Sequence, residues 1–321
     1  MSRATREAYR DRLLAVLDRH PDVICLDTDT GLFSAEHAAG AGEQYLNLGI
    51  AEHNLMGIAA GMAACGRMPF VNTMAAFASR ALEAVKIDIA YNRLPVRIMA
   101  THGGLAAGHL GPTHQALEDL ALLRVLPGMT VVVPADAAAT EAFVDQSLRL
   151  AGPLYVRLGR KPSPPLPAAH LPVIGQAQAL RQGGDVVLAG CGPYPVLACL
   201  AAADVLVGHG IEATVLNLHT VRPLDTETLV EAVRPAALVV TIEEHWCSGG
   251  LGGAVAEALA QAAPTRVLRL GMPDQFVDAV GNQEYLLTHY DLTAERVVRM
   301  VCTTLDAAAR SGTNDRKDIT P

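Results

Sequence analysis

Residues able to do chemistry gather in three places along this chain. The first is Leu46-Asn47-Leu48-Gly49-Ile50-Ala51-Glu52-His53-Asn54-Leu55, where an extended piece reaches a glycine and a carboxylate follows on the first turn of a helix. The run Met56 to Ala64 is small and apolar on nearly every face, which places Glu52 at the margin of a dry interior. A carboxyl there either pairs with a cation or is held neutral and donates a hydrogen bond. First-turn acids are also common in water, favoured by the helix dipole, so the pattern alone leaves both readings open.

The second place is THGGLAAGHLGPTHQALEDLALLR, residues 101–124, in which His102 and His114 bracket glycines at 103, 104, 108 and 111. Glycine lets backbone approach a ligand closely, and loops at strand C-termini are where parallel-sheet folds build sites. Histidines titrating near neutrality suit proton transfer; as a metal pair they lack a third ligand at workable spacing. The third group is scattered: Phe77 in a chain of five phenylalanines, Arg6 in ATREA, Arg160 in VRLGRK and Asp29 in DTD. The arginines offer planar forks suited to an anion. Without further information these four read as a core ring, two surface cations and a turn cap.

The elements that must position these residues alternate. A helix over 4–19 (Tyr9, Leu13, Leu14, Val16, Leu17 apolar) precedes a strand at 23–29, the YLNLG strand, the helix from Glu52, and a strand at 67–73. A helix at 77–93, a strand ending at Ala100, helix 116–124, strand 130–133, helix 137–150 and strand 154–156 follow. That alternation predicts βαβ units on a mainly parallel sheet. The proline-dense KPSPPLPAAHLP (161–172) blocks helix and central strand and reads as a stiff linker. Past it a second run of alternating elements ends in a helix at 293–309. The fold class is therefore α/β with two doubly wound domains: 1–160, a linker at 161–183, 184–310, and a polar, disordered tail at 311–321.

The chain has 321 residues, 25 Lys+Arg against 33 Asp+Glu, and a net charge of −8. This acidic balance, without a basic block, argues against nucleic acid or an anionic membrane surface as partner. The N-terminus is too charged for a secretory signal, and no apolar run approaches a membrane span. Six cysteines sit singly in apolar contexts with no CxxC pair, as buried thiols of a reducing cytoplasm do.

The string NLGIAEHNLMGIAAGMA, with GPTHQALEDLALLR, VTIEEHWCSGGLGG and GMPDQF, resembles the transketolase family over nearly the whole chain. The resemblance implies a pyrimidine-binding domain over about 1–160, followed by a transketolase-type C-terminal domain. It implies thiamine diphosphate as cofactor, with Glu52 sharing a proton with N1′ of the aminopyrimidine, Phe77 stacking on that ring and Asp29 approaching its side. His102 and His114 become catalytic and substrate-contacting residues, and Arg160 and Arg6 the holders of a substrate phosphate, assisted in relatives by a serine that falls near Ser34. Family members hold Mg²⁺ (or Ca²⁺) through a GDG motif and a downstream Asn. Gly184-Asp185-Val186 with Asn217 is a coincidence of spacing, because the third residue is Val and Asn217 lies in an apolar strand. No metal ligands are therefore assigned here. The resemblance is to a split enzyme: a separate N-terminal subunit carries the diphosphate- and metal-binding domain, and the two form an α2β2 heterotetramer acting on a small-molecule substrate.

The expected activity is transfer of a two-carbon ketol unit from a ketose, or ketose phosphate, to an acceptor. His109-Leu110 stands where sugar-phosphate relatives carry an acidic residue that reads hydroxyls, which points to a non-standard acceptor. A β subunit of a 2-oxo-acid dehydrogenase, and a non-catalytic scaffold subunit, are the alternative readings.

Overall fold

The computed structural model describes residues 2–314. Six of the seven strands of its larger sheet come from the first half of the chain: β1 (Val23–Asp27), β2 (Tyr45–Asn47), β3 (Met68–Met74), β4 (Arg97–Thr101), β5 (Thr130–Val132) and β6 (Leu154–Arg157). Side chains alternate between faces, as a pleated strand requires. Ile24, Leu26, Val71, Ile98 and Ala100 enter one apolar cluster, and Val23, Cys25, Phe70 and Met99 enter another on the opposite side. Helix α1 (Thr5–Leu17) covers the second face with Tyr9, Leu13, Val16 and Leu17, and the Tyr9 hydroxyl donates to Asn72 Oδ1 at 2.6 Å. The short α2 spans Ala35–Ala41, and α3 (Glu52–Ala64) packs on the first face through Leu55, Met56, Ala59, Ala60 and Ala63.

The smaller sheet is built from β7 (Gln178–Arg181), β8 (Val186–Gly190), β9 (Ala213–Asn217), β11 (Leu238–Trp246) and β12 (Val267–Met272), in the order β12-β11-β8-β9-β7. All neighbours are parallel except the edge strand β7. The strand β10 (Thr220–Arg222) leaves this unit and pairs antiparallel with β5, giving the larger sheet the order β10-β5-β6-β4-β3-β1-β2. Both sheets are thus mainly parallel with helices packed on them. One apolar cluster runs without a break from Leu55 and Leu120 to Val187, Val239 and Leu251.

Several local expectations change. Residues 161–183 are not a free-standing linker: Pro162–Ser163 pairs with Arg3–Ala4, and Gln178–Arg181 is the strand β7. The segment after β3 is helical from Ala75 to Ala90 in short α, 3-10 and π turns, and it stops when Asn92 Nδ2 bonds the Ile87 and Asp88 carbonyls at 3.0 and 3.1 Å. The helix expected from 116 begins at Asp119 (α4, Asp119–Arg124), because Ala116 exchanges two 3.1 Å backbone bonds with Gly104. Helix α3 is not buried all round; His53, Asn54, Gly57, Gly61 and Ala64 are exposed, since no described residue packs there. Residues 311–314 belong to a helix running from Ala294 to Asn314; the rest of the expected tail, 315–321, lies outside the described residues.

Where the two units meet, Asp119 and Arg157 form a salt bridge at 3.1 Å, both buried. The Tyr155 hydroxyl donates to Asp119 Oδ2 at 2.6 Å, and Arg157 also donates to the Ala116 carbonyl. Removing one partner of such a pair leaves an uncompensated buried charge. Asp119→Asn is therefore expected to cost about 3–5 kcal/mol, read from reversible urea unfolding. A loss below about 1 kcal/mol, the range of exposed pairs, would show that the pair does not hold this junction.

Candidate active site

The residues singled out in the sequence lie at or just beyond the C-terminal ends of the parallel strands, where open α/β sheets bind ligands. Strand β1 ends at Asp27, whose carboxylate accepts from Thr28 N at 3.0 Å, Thr30 Oγ1 at 2.7 Å and Tyr45 OH at 3.0 Å. Burial raises its pKa against the pull of those bonds. Asp27 thus does the turn-holding work read into Asp29. Asp29 itself is exposed, in left-handed backbone at φ 61°, without a hydrogen-bond partner among the described residues.

Strand β4 delivers Thr101 and then His102, which is 4% exposed. His102 Nδ1 lies 3.0 Å from Thr101 Oγ1, and that hydroxyl donates to the Thr73 carbonyl at 3.4 Å. With its proton committed there, the hydroxyl accepts from Nδ1–H, and Nε2 is the free acceptor. Burial, then the charges of Arg6, Arg160 and His114, push the His102 pKa down to about 4. The expectation of titration near neutrality fails for this residue: it is a neutral hydrogen-bonding group at neutral pH.

His114, half-buried, lies edge-on to Phe77, their ring centroids 5.2 Å apart at 69°, and its Nδ1 sits 2.8 Å from Thr113 Oγ1. Phe77 comes from the helical stretch after β3, so two elements far apart in sequence make one wall. Arg6 reaches the same region because the start of α1 is stitched to the segment after β6. Arg6 N donates to Gly159 O at 3.3 Å, and Gly159 N donates to Thr5 Oγ1 at 2.7 Å. Burial and then Arg160 lower the Arg6 pKa, and its Nε is buried without a partner. Two guanidinium groups facing a neutral histidine make a place for an anion. Ser34 does not join them; its Oγ caps α2 by accepting from His37 N at 3.3 Å.

Glu52, 5% exposed, lines a cleft of about 350 Å³ with Ile50, Ala51, His53, Asn54 and Arg80. Its carboxylate has no hydrogen bond or ion pair among the described residues, and no contact of those kinds joins it to the Phe77–His114–His102 group. Leu110 is exposed on a 3-10 turn, Gly108–Leu110, next to Gly111, whose absent Cβ would lie 3.8 Å from Val280. No group of three metal-ligating side chains occurs among the described residues. Asp185 precedes β8, where it accepts from Glu212 N at 2.7 Å, whereas Asn217 is buried at the far end of β9 against Gln178.

The glycines of this loop also serve the packing of the chain itself. A Cβ at Gly103 would lie 2.4 Å from Arg157, at Gly104 2.7 Å from Glu244, and at Gly108 2.4 Å from the Gly281 carbonyl. At these three positions other parts of this chain come too close for a side chain. Sequence reasoning missed Asp119, Arg157 and Glu244. The signal available was the paired carboxylates Glu243-Glu244 in an otherwise apolar strand, which demand internal partners when buried.

Comparison with known proteins agrees with this geometry. The transketolase pyrimidine-binding domain matches residues 1–164, and the transketolase C-terminal domain matches 175–297. The 6-deoxy-6-sulfo-D-fructose transketolase subunit SqwH of Clostridium sp. (strain MSTE9) is 38% identical over 92% of this chain and 92% of its own length. One of the subunits of the apulose-4-phosphate transketolase of Phocaeicola vulgatus is 35% identical over 92% of this chain and 96% of its own. A solved structure described as a split gene transketolase, inactive beta4 tetramer, superposes with a TM-score of 0.87 at 41% identity, covering 94% of this chain and 98% of that one. The chain belongs to the transketolase family, and it corresponds to the subunit of split transketolases that joins the pyrimidine-binding and C-terminal domains.

Proposed function

We propose that this chain is the pyrimidine-side subunit of a two-component transketolase that moves a two-carbon ketol unit from a ketose with a terminal anionic group. The observation that carries the reading is Glu52: a residue only 5% exposed whose carboxylate has no hydrogen bond or ion pair among the described residues and faces a cleft. A carboxyl that faces a cleft with no partner of its own among the described residues is free to meet a ring nitrogen and share a proton with it. The residues present thus fit the pyrimidine end of thiamine diphosphate, the cofactor that the family implies. When bound, that cofactor supplies the electron sink for cleaving a C–C bond next to a carbonyl.

Glu52 holds or releases one proton at the aminopyrimidine N1′, and Phe77 offers a ring face to the same heterocycle. Neutral His102 accepts a substrate hydroxyl at Nε2, while His114, braced edge-on by Phe77, relays a proton at the substrate oxygen. Arg6 and Arg160 hold the terminal anion. Phosphate and sulfonate, the groups named in the two relatives' substrates, both present oxygens that a guanidinium fork can grip. A sugar hydroxyl facing Leu110 would go unpaired at about 1–3 kcal/mol. The acceptor is accordingly poor in hydroxyls there, or carried on another molecule.

The partner subunit brings the diphosphate site and its Mg²⁺ or Ca²⁺, and the assembly is α2β2. The open face of α3, with His53, Gly57 and Gly61 beside Glu52, is where that partner would cover the cleft. The β-only relative described as inactive supports dependence on a second chain.

Reconstitution with the partner tests the reading. Glu52→Gln should slow C2–H exchange of bound thiamine diphosphate by about 10²–10⁴-fold while leaving the cofactor bound; exchange at the parent rate would remove Glu52 from the mechanism. A second expectation concerns His102, whose pKa is about 4 in the fold against 6.5 for an ordinary histidine. Between those values the unfolded chain binds more protons, so the contribution is complete above pH 6.5 and is lost as pH falls toward 4. The stability difference between the parent and His102→Asn should shift by about 3 kcal/mol over that window. Asp27, Glu243 and Glu244, whose raised pKa values act in the opposite sense, are common to both chains and cancel. A pH-independent difference would mean that the ring is not buried as a neutral group.

A further inference from the structure

The loop that carries His102 and His114 has little regular structure, and much of what fixes it comes from the second α/β unit. Leu105 N donates to Glu244 Oε2 at 3.1 Å, Trp246 N donates to the Leu117 carbonyl at 3.1 Å, and Ala121 N donates to His245 Nε2 at 3.3 Å. Gly281 N reaches the Gly108 carbonyl at 3.4 Å. Three consecutive residues at the end of β11 therefore grip the loop at Leu105 and Leu117 and the following helix α4 at Ala121. Two of the loop's glycines, 104 and 108, are the places where the second unit comes too close for a side chain.

The neighbouring carboxylates divide the labour. Glu243 turns inward and accepts from Leu251 N at 2.6 Å and Gly252 N at 2.8 Å, capping the helix Leu251–Ala262 of its own unit. Glu244 turns outward. Besides Leu105 N it accepts from Gln283 Nε2 at 2.8 Å, and it lies in the field of Arg157. A buried carboxylate accepting two N–H bonds beside a cation is held in one orientation, and so is the backbone it touches.

We propose that Glu244 is a positioning residue for this enzyme, through which the second unit holds the loop in the conformation that presents His102 and His114. It touches no substrate; it acts through Leu105. The consequence for turnover rests on the ketol-transfer reading, but the mechanical part does not.

Hydrogen exchange followed by mass spectrometry on the full-length chain tests it. In Glu244→Ala, amides of 103–110 should exchange about 10–100-fold faster, the scale set by losing a hydrogen bond to a charged acceptor, while β1, β3 and the helix 251–262 keep parent rates. Glu244→Gln, which keeps an acceptor oxygen, should return the loop to within a few-fold of parent. Glu243→Gln should loosen 251–256 and leave 103–110 alone. In the reconstituted enzyme Glu244→Ala should lower kcat with cofactor affinity kept, and Glu244→Gln should restore it. Parent-like exchange at 103–110 in Glu244→Ala, equal acceleration everywhere, or a loosened loop with unchanged kcat would each overturn the proposal. Should Glu244→Ala fail to fold, Gln283→Ala removes the second donor and should still raise exchange at 103–110; no change there would equally overturn it. Failure of the ketol-transfer reading would show instead in the parent chain, as absent turnover, with the exchange result still deciding the clamp.

Discussion

A buried ion pair lies beneath the candidate site. Asp119 and Arg157 lose their hydration together at the meeting of two sheets, a transfer that is repaid only with good geometry and with further hydrogen bonds on the remaining atoms. Tyr155 and the Ala116 carbonyl supply some of those bonds. Burial and the adjacent Asp119 raise the Tyr155 pKa, so its hydroxyl stays a donor. Each participant also has a separate local role. Asp119 opens a helix, Arg157 ends a strand, and Ala116 closes the two-bond bridge to Gly104. The pair therefore sets the relation between β6, the histidine loop and α4 at once.

Around that junction, the chemistry follows from how strand ends are spent. Parallel strands deliver their C-termini to one edge, and the loops there are free of ladder bonds. Asp27 uses its freedom on a turn, Thr101 and His102 use theirs on a buried hydroxyl–imidazole contact, and Gly159 ties α1 so that Arg6 comes beside Arg160. The cationic pair in turn helps to keep His102 neutral. Electrostatics and backbone stitching act on the same few residues.

Much of this was legible in the residues. Alternation of strand and helix announced two mainly parallel α/β units, because the period of apolar residues reports a face locally. Glu52, Phe77, His102 and His114 stood out through type and context. What escaped was whatever depends on contacts between distant segments. Asp29 was singled out and Asp27 was not, since nothing local says which carboxylate will meet Tyr45. The glycines of 103–108 looked like a ligand cradle, since a missing Cβ reads the same whether a cofactor or Glu244 fills the space. The neutrality of His102 depends on its burial and on two arginines from opposite ends of the first unit.

One strand has an implication for how the gene can be cut. β10 is encoded after β8 and β9, yet it completes the border of the larger sheet beside β5. An open reading frame stopped in the proline-rich region would leave β5 as an uncovered border, a template for pairing with other chains. The two units are sequential in the message but interlaced in the product. Fusion or fission that respects this architecture must carry residues through Arg222 along with the first six strands.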